Sequence, residues 1–214
     1  MATPLSQSPA AFIRANLKLE PVPSLPGVVL YTAHPGSRLS RLITPDDAAP
    51  YWAYQWAGGL ALSQHILTHR EEVRGKRVLD LGAGSGLVGI IAAKLGAQAS
   101  AAEIDLNGRA AITLNAAANG ITLPLVDVDI EGDALTHIDL ILGGDVFYLE
   151  NVARRMLPFL QRCAAAGIEV LIGDPGRRDL PIDRLTAIAT YPVGDVGDAR
   201  DTKHRVGTVY RLYA

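Results

Sequence analysis

The 214-residue sequence predicts an α/β fold of the Rossmann-like kind: a seven-stranded, mostly parallel sheet with one antiparallel strand and helices on both faces. Three observations predict it. Short apolar runs alternate with helical patterns five times, as in a chain of βα units around a parallel sheet. One run, Val78-Leu79-Asp80-Leu81, leads into a glycine turn, Gly82-Ala83-Gly84-Ser85-Gly86, and then into a helix through Ile90, Ile91 and Leu95 that stops near Gly96. The last two strand-like runs, 187–193 and 206–212, have no helix between them. That places an antiparallel strand near one edge of the sheet. Residues 1–49 read as an N-terminal arm and 50–214 as one domain, for which an apolar content of 49% supplies the core.

The arm is rich in proline. Pro21, Pro23, Pro26 and Pro35 divide it into short extended pieces, with 27–32 as an edge strand. Arg38, Arg41 and the turn Thr44-Pro45-Asp46-Asp47 are expected to be exposed. Tyr51, Trp52, Tyr54 and Trp56 follow, four of the chain's twelve aromatics. They read either as anchors of the helix 60–68 or as a wall of a ligand pocket, where ring faces suit an adenine or a cation. His65 and His69 have the i, i+4 spacing of metal ligands, yet no third ligand lies near. Two solvated helix histidines are expected, and no metal site. Residues 71–77 form a charged loop into the first strand.

After the glycine turn, 98–102 is a second buried strand. Glu103 ends it, placed to accept hydrogen bonds from both hydroxyls of a ribose, with Asp105 as second choice or as cap of the helix from about 107 to 119. A third strand spans 123–128. Asp129 follows it, a candidate for the exocyclic amine of an adenine, against the plainer reading of a solvated loop acid. The fourth strand, 138–142, ends in Gly143-Gly144-Asp145-Val146-Phe147-Tyr148. Ligands of open α/β sheets sit beyond the carboxyl ends of the strands at the switch in strand order, so Asp145 and Tyr148 are expected at the reacting centre. A helix over 150–165 contains Cys163, read as a packing residue. A fifth strand, 169–172, ends in Gly173-Asp174-Pro175-Gly176-Arg177. A helical stretch near 182–185, the two last strands and an acidic loop between them complete the chain.

The composition narrows the function. A net charge of −2 supplies no basic face for nucleic acid. One cysteine excludes an internal disulfide and fits a reducing compartment. The longest apolar runs fall short of the ~20 residues that a membrane span needs, and the N-terminus has the pattern of neither a signal nor a transit peptide. A soluble, cytoplasmic monomer is expected.

The glycine turn admits two readings. Gly84, Gly86 and Gly89 spell G-x-G-x-x-G, a dinucleotide fingerprint, with Glu103 about 20 residues on. Gly82, Gly84 and Gly86 spell G-x-G-x-G two residues after Asp80, which resembles motif I of class I S-adenosylmethionine-dependent methyltransferases. A carboxylate before the glycines suits a cationic ligand and repels a diphosphate, and the chain has no room for a dehydrogenase's second half. The competing reading of Asp80 is an acid that caps the turn.

Further stretches carry a narrower resemblance: Pro50-Tyr51-Trp52-Ala53 with Trp56 and Gly58-Gly59, Arg74-Gly75-Lys76, Ala111-Ile112-Thr113-Leu114-Asn115, Gly144-Asp145-Val146-Phe147-Tyr148, and Val170-Leu171-Ile172-Gly173-Asp174-Pro175-Gly176-Arg177. From about residue 27 onward the chain resembles the electron-transfer flavoprotein β-subunit lysine methyltransferases, within the wider seven-strand protein lysine methyltransferases. The resemblance implies a class I methyltransferase fold, S-adenosyl-L-methionine as cofactor with S-adenosyl-L-homocysteine as product, and lysine side chains of that flavoprotein subunit as substrate. It implies cofactor contacts at Trp56, Gly82, Glu103 and Asp129. With the residues read directly, the cofactor-binding set is Trp56, Asp80, Gly82, Gly84, Gly86, Glu103, Asp129 and Asp145. Asp145 and Tyr148 would form a D-x-x-Y catalytic motif, in which Asp145 orients the incoming amine and Tyr148 lines its channel. Phe147 would add cation–π contact or belong to the core; Asp174 would shape the rim or act as a turn acid. Ala57 stands where animal members have proline, and no mitochondrial presequence is evident, which suggests a bacterial relative. The alternatives are a methyltransferase of a ribosomal protein, similar to the L11 enzymes, or of a small molecule.

Overall fold

The computed structural model describes residues 8–41, 49–194 and 206–213. Helix α1 (Pro9–Asn16) begins where Ser8 accepts the Ala11 N–H and Pro9 takes the first helical position, a pairing suited to a helix start. Strands β1 (Lys18–Pro21) and β2 (Val29–Thr32) form an antiparallel hairpin. The sequence reading expects only an edge strand here. Instead β2 pairs with β1, apart from the main sheet. The turn expected at 44–47 and the acidic loop before the last strand lie outside the described residues.

Helix α2 (Ala57–Thr68) leads to β3 (Arg77–Leu81), α3 (Leu87–Lys94), β4 (Gln98–Ala102), α4 (Leu106–Ala118), β5 (Leu125–Val126), β6 (Leu140–Gly144), α5 (Glu150–Ala165), β7 (Glu169–Asp174), β8 (Leu185–Pro192) and β9 (Val206–Leu212). The seven strands β3 to β9 lie in the order β5-β4-β3-β6-β7-β9-β8. Strand β9 runs antiparallel to both neighbours, and the other pairs are parallel. This is the expected seven-stranded, mostly parallel α/β sheet.

Both faces of the sheet are covered, so its strands are apolar on both sides. Side chains alternate between two cores. Val78, Leu140, Leu142 and Leu171 face α2 and α3, whereas Leu79, Leu81, Ile141, Val170 and Ile172 face α5. Helix α5 presents Met156, Phe159, Leu160 and Cys163, a stripe at i, i+3, i+4, i+7, and keeps Arg154 and Arg155 outside. A third cluster seats the N-terminal segment: Phe12, Ile13 and Leu17 meet Trp52, Ala111 and Leu114. Burying each large apolar side chain of this kind stabilises by about 1.5–3 kcal/mol.

Several boundaries differ from the sequence reading, among them β7, which runs on to Asp174, and β8, which begins at Leu185. The third strand, expected over 123–128, is only two residues long, because Pro124 has no N–H to donate and contributes its carbonyl to Ala101 instead. The fourth begins two residues later than expected and runs on through both glycines. Before it, Asp139 accepts from the Arg77 backbone and guanidinium at the end of the sheet. Residues 182–184 form one 3-10 turn rather than a helix. His65 is a further correction. It is buried, between the Tyr191 hydroxyl at 3.0 Å and Glu72 at 3.2 Å, with His69 stacked on it, so it is not a solvated histidine. Among the described residues no cluster of three or more His, Cys, Asp or Glu is arranged to hold a metal.

Candidate active site

The strand order reverses between β3 and β6, and a cavity of about 990 Å³ opens there at the carboxyl ends of the strands. Such a switch point is where open α/β sheets hold ligands.

One side of the cavity is the cradle after β3. Gly82, Gly84 and Gly86 have φ of 65°, 53° and 78°, values that only glycine adopts at low cost. Gly82 and Gly84 line the cavity, and a Cβ on Gly84 would reach only 3.8 Å from Trp52, so the backbone there lies open to a ligand. Gly86 is not among the lining residues. It caps α3, and a Cβ there would press on Ile112 of α4 at 3.2 Å. The cradle is held from behind by Asn115, a fully buried side chain that donates to Ser85 O at 2.8 Å and accepts from the Tyr31 N–H at 2.8 Å.

Asp80, 1% exposed, also lines the cavity and accepts the Gly89 N–H of α3 at 2.8 Å. Both readings of this residue therefore meet in one position. Burial, with Glu103 adding to it, pushes its carboxyl up to about 7. Glu103 ends β4 and accepts from the N–H groups of Gly84, Ile104 and Asp105. Burial raises its pKa despite those bonds. Asp105 also lines the cavity, but its carboxylate accepts from Asn107 and Gly108 as the cap of α4. Asp129 is on the rim, exposed, accepting the Glu131 N–H. Its loop is tied down by Arg162 of α5, which donates to the carbonyls of Ile130 and Gly132.

The aromatic run forms another part of the wall. Tyr51, Trp52, Tyr54 and Trp56 all line the cavity. Trp56 donates its ring N–H to Tyr51 O at 2.7 Å, and the rings of Tyr51 and Tyr148 lie 4.9 Å apart. Trp52 lines the cavity and is buried against α1 and α4 rather than anchoring the helix that follows it.

At the end of β6 stands Asp145, with a φ of 56°. A non-glycine residue in the left-handed region costs free energy that its surroundings must offset, a common circumstance at functional sites. Here three other elements hold it. Asp145 Oδ2 accepts the Gly59 N–H at 3.0 Å, in the first turn of α2, where the helix dipole favours an anion. Oδ1 accepts from Arg177 Nε at 3.1 Å and Nη2 at 2.5 Å. Its backbone N–H donates to Gly173 O. Burial outweighs the Arg177 charge and these bonds, and the carboxyl rises to about 6. Tyr148, 36% exposed, lines the cavity too, and burial raises its pKa. Phe147 is fully buried in the core against α5, which removes it as a cation–π partner. Asp174 is buried rather than on the rim. Its Oδ1 accepts the N–H groups of Gly176 and Arg177, as a turn acid.

Two parts of this site were not read from the sequence. Arg177 was noted within a motif but given no role, and Gly58-Gly59 was noted only beside the aromatics. Glycine at 58, 144 and 173 lets α2, β6 and β7 approach at backbone contact. A Cβ on Gly58 would fall 2.0 Å from Gly173 O, and one on Gly144 would fall 2.8 Å from Gly59 Cα.

The chain matches the family described as lysine methyltransferase over residues 52–181. It is 45% identical over 131 residues to the electron transfer flavoprotein beta subunit lysine methyltransferase of Rattus norvegicus, covering 60% of this chain and 51% of that protein. The corresponding protein of Homo sapiens is 42% identical over 131 residues, covering 60% and 50%. The chain thus aligns with about half the length of these relatives. Among solved structures, a ribosomal protein L11 methylase from Lactobacillus delbrueckii subsp. bulgaricus superposes with a TM-score of 0.50 at 23% identity, over 72% of this chain and 77% of the other. That likeness concerns the fold.

Proposed function

The chain belongs to the lysine methyltransferase family, and on that premise we propose that it transfers methyl groups from S-adenosylmethionine to lysine side chains of the electron-transfer flavoprotein β subunit. The observation that carries the reaction is Asp145, a strained and buried carboxylate that shares one cavity with the glycine cradle and with Asp80. The activity named for the flavoprotein methyltransferases, at 42–45% identity, supports the substrate.

The cavity suits the cofactor on the chemistry of its donors. Asp80 offers a carboxylate to a cationic amino-acid end, Gly82 and Gly84 offer open backbone, and Glu103 and Asp129 offer acceptors to a ribose and an adenine amine. Trp56 offers an aromatic face to the cationic centre. When bound, the sulfonium supplies an activated methyl group: the lysine nitrogen forms a C–N bond as the S–C bond breaks, leaving a neutral thioether.

A lysine ammonium has no lone pair, so its proton must leave first, from a reference pKa of ~10.4. Asp145 holds the amine by accepting one of its N–H bonds. The Gly59 N–H and Arg177 keep that carboxylate in one orientation. Tyr148, Tyr51 and Trp56 wall the channel and exclude water, which also favours the uncharged amine. The enzyme acts chiefly by placing the amine in line with the methyl group.

The remaining assignments belong to the same proposal. In the arm, Phe12, Ile13 and Leu17 pack against Ala111 and Leu114 of α4, and the domain over 50–214 carries the chemistry. A protein substrate, rather than nucleic acid, suits a cavity rim where Arg109 and Arg155 are paired with Asp127 and Glu131. Among the described residues no helix is long and apolar enough to cross a membrane. A cytoplasmic monomer accords with the net charge of −2 and the single buried cysteine.

The test is methyl transfer with labelled S-adenosylmethionine and purified electron-transfer flavoprotein, then a bacterial lysate, with the modified residues read by mass spectrometry. Lysine label on the β subunit is expected. It should vanish in Asp145→Ala while S-adenosylhomocysteine binding persists. Label on a ribosomal protein alone would replace the substrate, and no protein label with the cofactor bound would point to a small molecule.

A further inference from the structure

We infer that Arg177 is the positioning residue of this reaction: it fixes Asp145 as an oriented carboxylate and stands as a permanent cation beside the amine subsite, so that the amine enters in its neutral form. The inference rests on the reading that a lysine amine is the acceptor. Its own foundation is geometric. Arg177 donates twice to one oxygen of Asp145, and its guanidinium carbon lies 5.6 Å from the Trp56 ring centroid. Arg177, Asp145 and Trp56 all line the cavity. The arginine therefore touches both the proposed catalytic acid and the proposed cofactor wall.

The chain builds this placement deliberately. Asp174 is fully buried, and its Oδ1 accepts the N–H groups of Gly176 and Arg177, both at 2.7 Å. Gly176 turns the chain with a φ of 90°. This turn carries Arg177 back over the end of β6. The other oxygen of Asp145 is taken by the start of α2 through Gly59. With both oxygens anchored, the carboxylate cannot rotate toward a ligand. It keeps spare lone pairs for one donor placed between the anchors and the cavity.

The charges around Asp145 decide what that donor is. It is faced by Asp174 at the end of β7, by Arg177 just after it and by the N-terminal turn of α2; Asp80, Glu103 and Tyr148 line the same cavity. Among the described residues, Arg177 is the cation in contact with Asp145. At that carboxylate a lysine ammonium is attracted by Asp145 and repelled by Arg177, so the arginine offsets the pull that would otherwise hold the amine protonated. A fixed positive neighbour lowers the pKa of a bound amine, and an arginine beside an aspartate lowers the carboxyl by about 1–3 units. Both effects favour the same reactive state: amine uncharged, Asp145 ionised. Arg177 opposes the burial that raises Asp145, so its loss lets the carboxyl rise further.

The experiment is the pH profile of kcat on the flavoprotein β subunit for wild type, Arg177→Gln, Arg177→Met and Arg177→Lys, with S-adenosylhomocysteine binding by calorimetry as the control of fold. In the neutral variants the ascending limb should move up by about one unit or more, with cofactor affinity within about threefold of wild type. At a pH well below the midpoint of the limb that shift means about a tenfold lower kcat. Arg177→Lys should hold the limb near its wild-type position yet lose rate, because an ammonium lacks the planar fork. A wild-type limb in both neutral variants overturns the inference, as does a Lys variant that shifts as far as Gln. If the wild type leaves the β subunit unmodified, the functional reading fails, and the Asp145 carboxyl titration by 13C NMR still decides the role of Arg177. Assigned with Asp145→Asn, it should lie higher in Arg177→Gln than in wild type; equal values overturn the inference.

Discussion

Adjacent glycines at the start of α2 should respond oppositely to the same substitution. In Gly58→Ala the new methyl would fall 2.0 Å from Gly173 O and 2.6 Å from Asp145 Oδ2. The nearer of these is a backbone atom of β7, so relief requires α2 to lift off the sheet by about 1 Å. Overpacking of this kind costs about 1–3 kcal/mol. Lifting α2 also stretches the Gly59 N–H bond to the Asp145 carboxylate, worth about 1.5–3 kcal/mol. The gain in helix propensity returns at most about 1 kcal/mol. A net loss of about 3 kcal/mol is expected, or a Tm lower by about 6–12 °C for a domain of this size. In Gly59→Ala the nearest atom to the new methyl is Val88 Cγ2 at 3.8 Å, an ordinary contact. That variant should be neutral or slightly stabilised and should keep methyl transfer, whereas Gly58→Ala should lose transfer even where it remains folded. Thermal unfolding with S-adenosylhomocysteine binding and a transfer assay reads both. Equal stability and equal activity of the two variants would refute the close approach of α2 to β6 and β7 as the device that sets Asp145.

Three further outcomes are expected. With its carboxyl near 7, Asp80 is about half protonated at neutral pH; a cationic ligand group lowers that value, so S-adenosylmethionine should bind more tightly, with proton release, as pH rises from about 5.5 to 7.5. Asp80→Asn should flatten the dependence, and calorimetry in two buffers of different ionisation enthalpy would detect a wild type that releases no proton. For folding the sign is the reverse: the raised carboxyl favours the ligand-free fold most at low pH, and that contribution is lost as pH climbs through about 7. Asn115→Ala leaves Ser85 O and the Tyr31 N–H without this partner, at about 1–3 kcal/mol for each buried group; cofactor affinity should fall together with exchange protection of Tyr31, and protection unchanged would detach the N-terminal hairpin from the cradle. Burial lowers the pKa of His65 against the opposing pull of Glu72, so its stabilising contribution holds above its ordinary value and is lost as pH falls. The acid unfolding midpoint of His65→Gln, followed by circular dichroism, should lie below that of wild type, and an unchanged midpoint would remove His65 from the acid response.

The sheet was legible because local pattern and tertiary environment agree there. Val78, Leu79 and Leu81 are apolar because β3 is covered on both faces, and two successive strand-like runs with no helical pattern between them in the sequence marked the antiparallel strand. Where tertiary contact overrides pattern, the sequence reading stops short. β6 runs on through Gly143 and Gly144 because Ile172 and Val146 fill the space beside the first and Gly59 of α2 the space beside the second, not because glycine favours a strand. His65 looked solvated because its partners, Glu72 and Tyr191, are 7 and 126 residues away. The start of α1 was missed although Ser8-Pro9 announces it, because the prolines that follow dominated the reading of the arm.

The site divides along the same line. The cradle is a local device: Asp80, Gly82, Gly84 and Glu103 lie within 24 residues, and their resemblance to motif I of the class I methyltransferases, with the acid before the glycines, led to a cationic, adenosine-like ligand. The clamp on Asp145 is not local. Gly59 reaches it from 86 residues upstream and Arg177 from 32 residues downstream, so no spacing rule connects them. Yet the letters of the clamp are unusual in a way that physics can interpret. A glycine pair at the start of a helix sacrifices helix propensity, and two glycines followed by an aspartate at a strand end sacrifice sheet stability. Costs of that kind persist where close backbone approach is itself the product, and each of these glycines borders Asp145. The same logic applies to Asp174-Pro175-Gly176-Arg177, where a buried acid and a left-handed glycine aim one side chain. Motif letters that look wasteful for their own element are therefore the ones to trace to a partner elsewhere, and in this chain they converge on a single carboxylate.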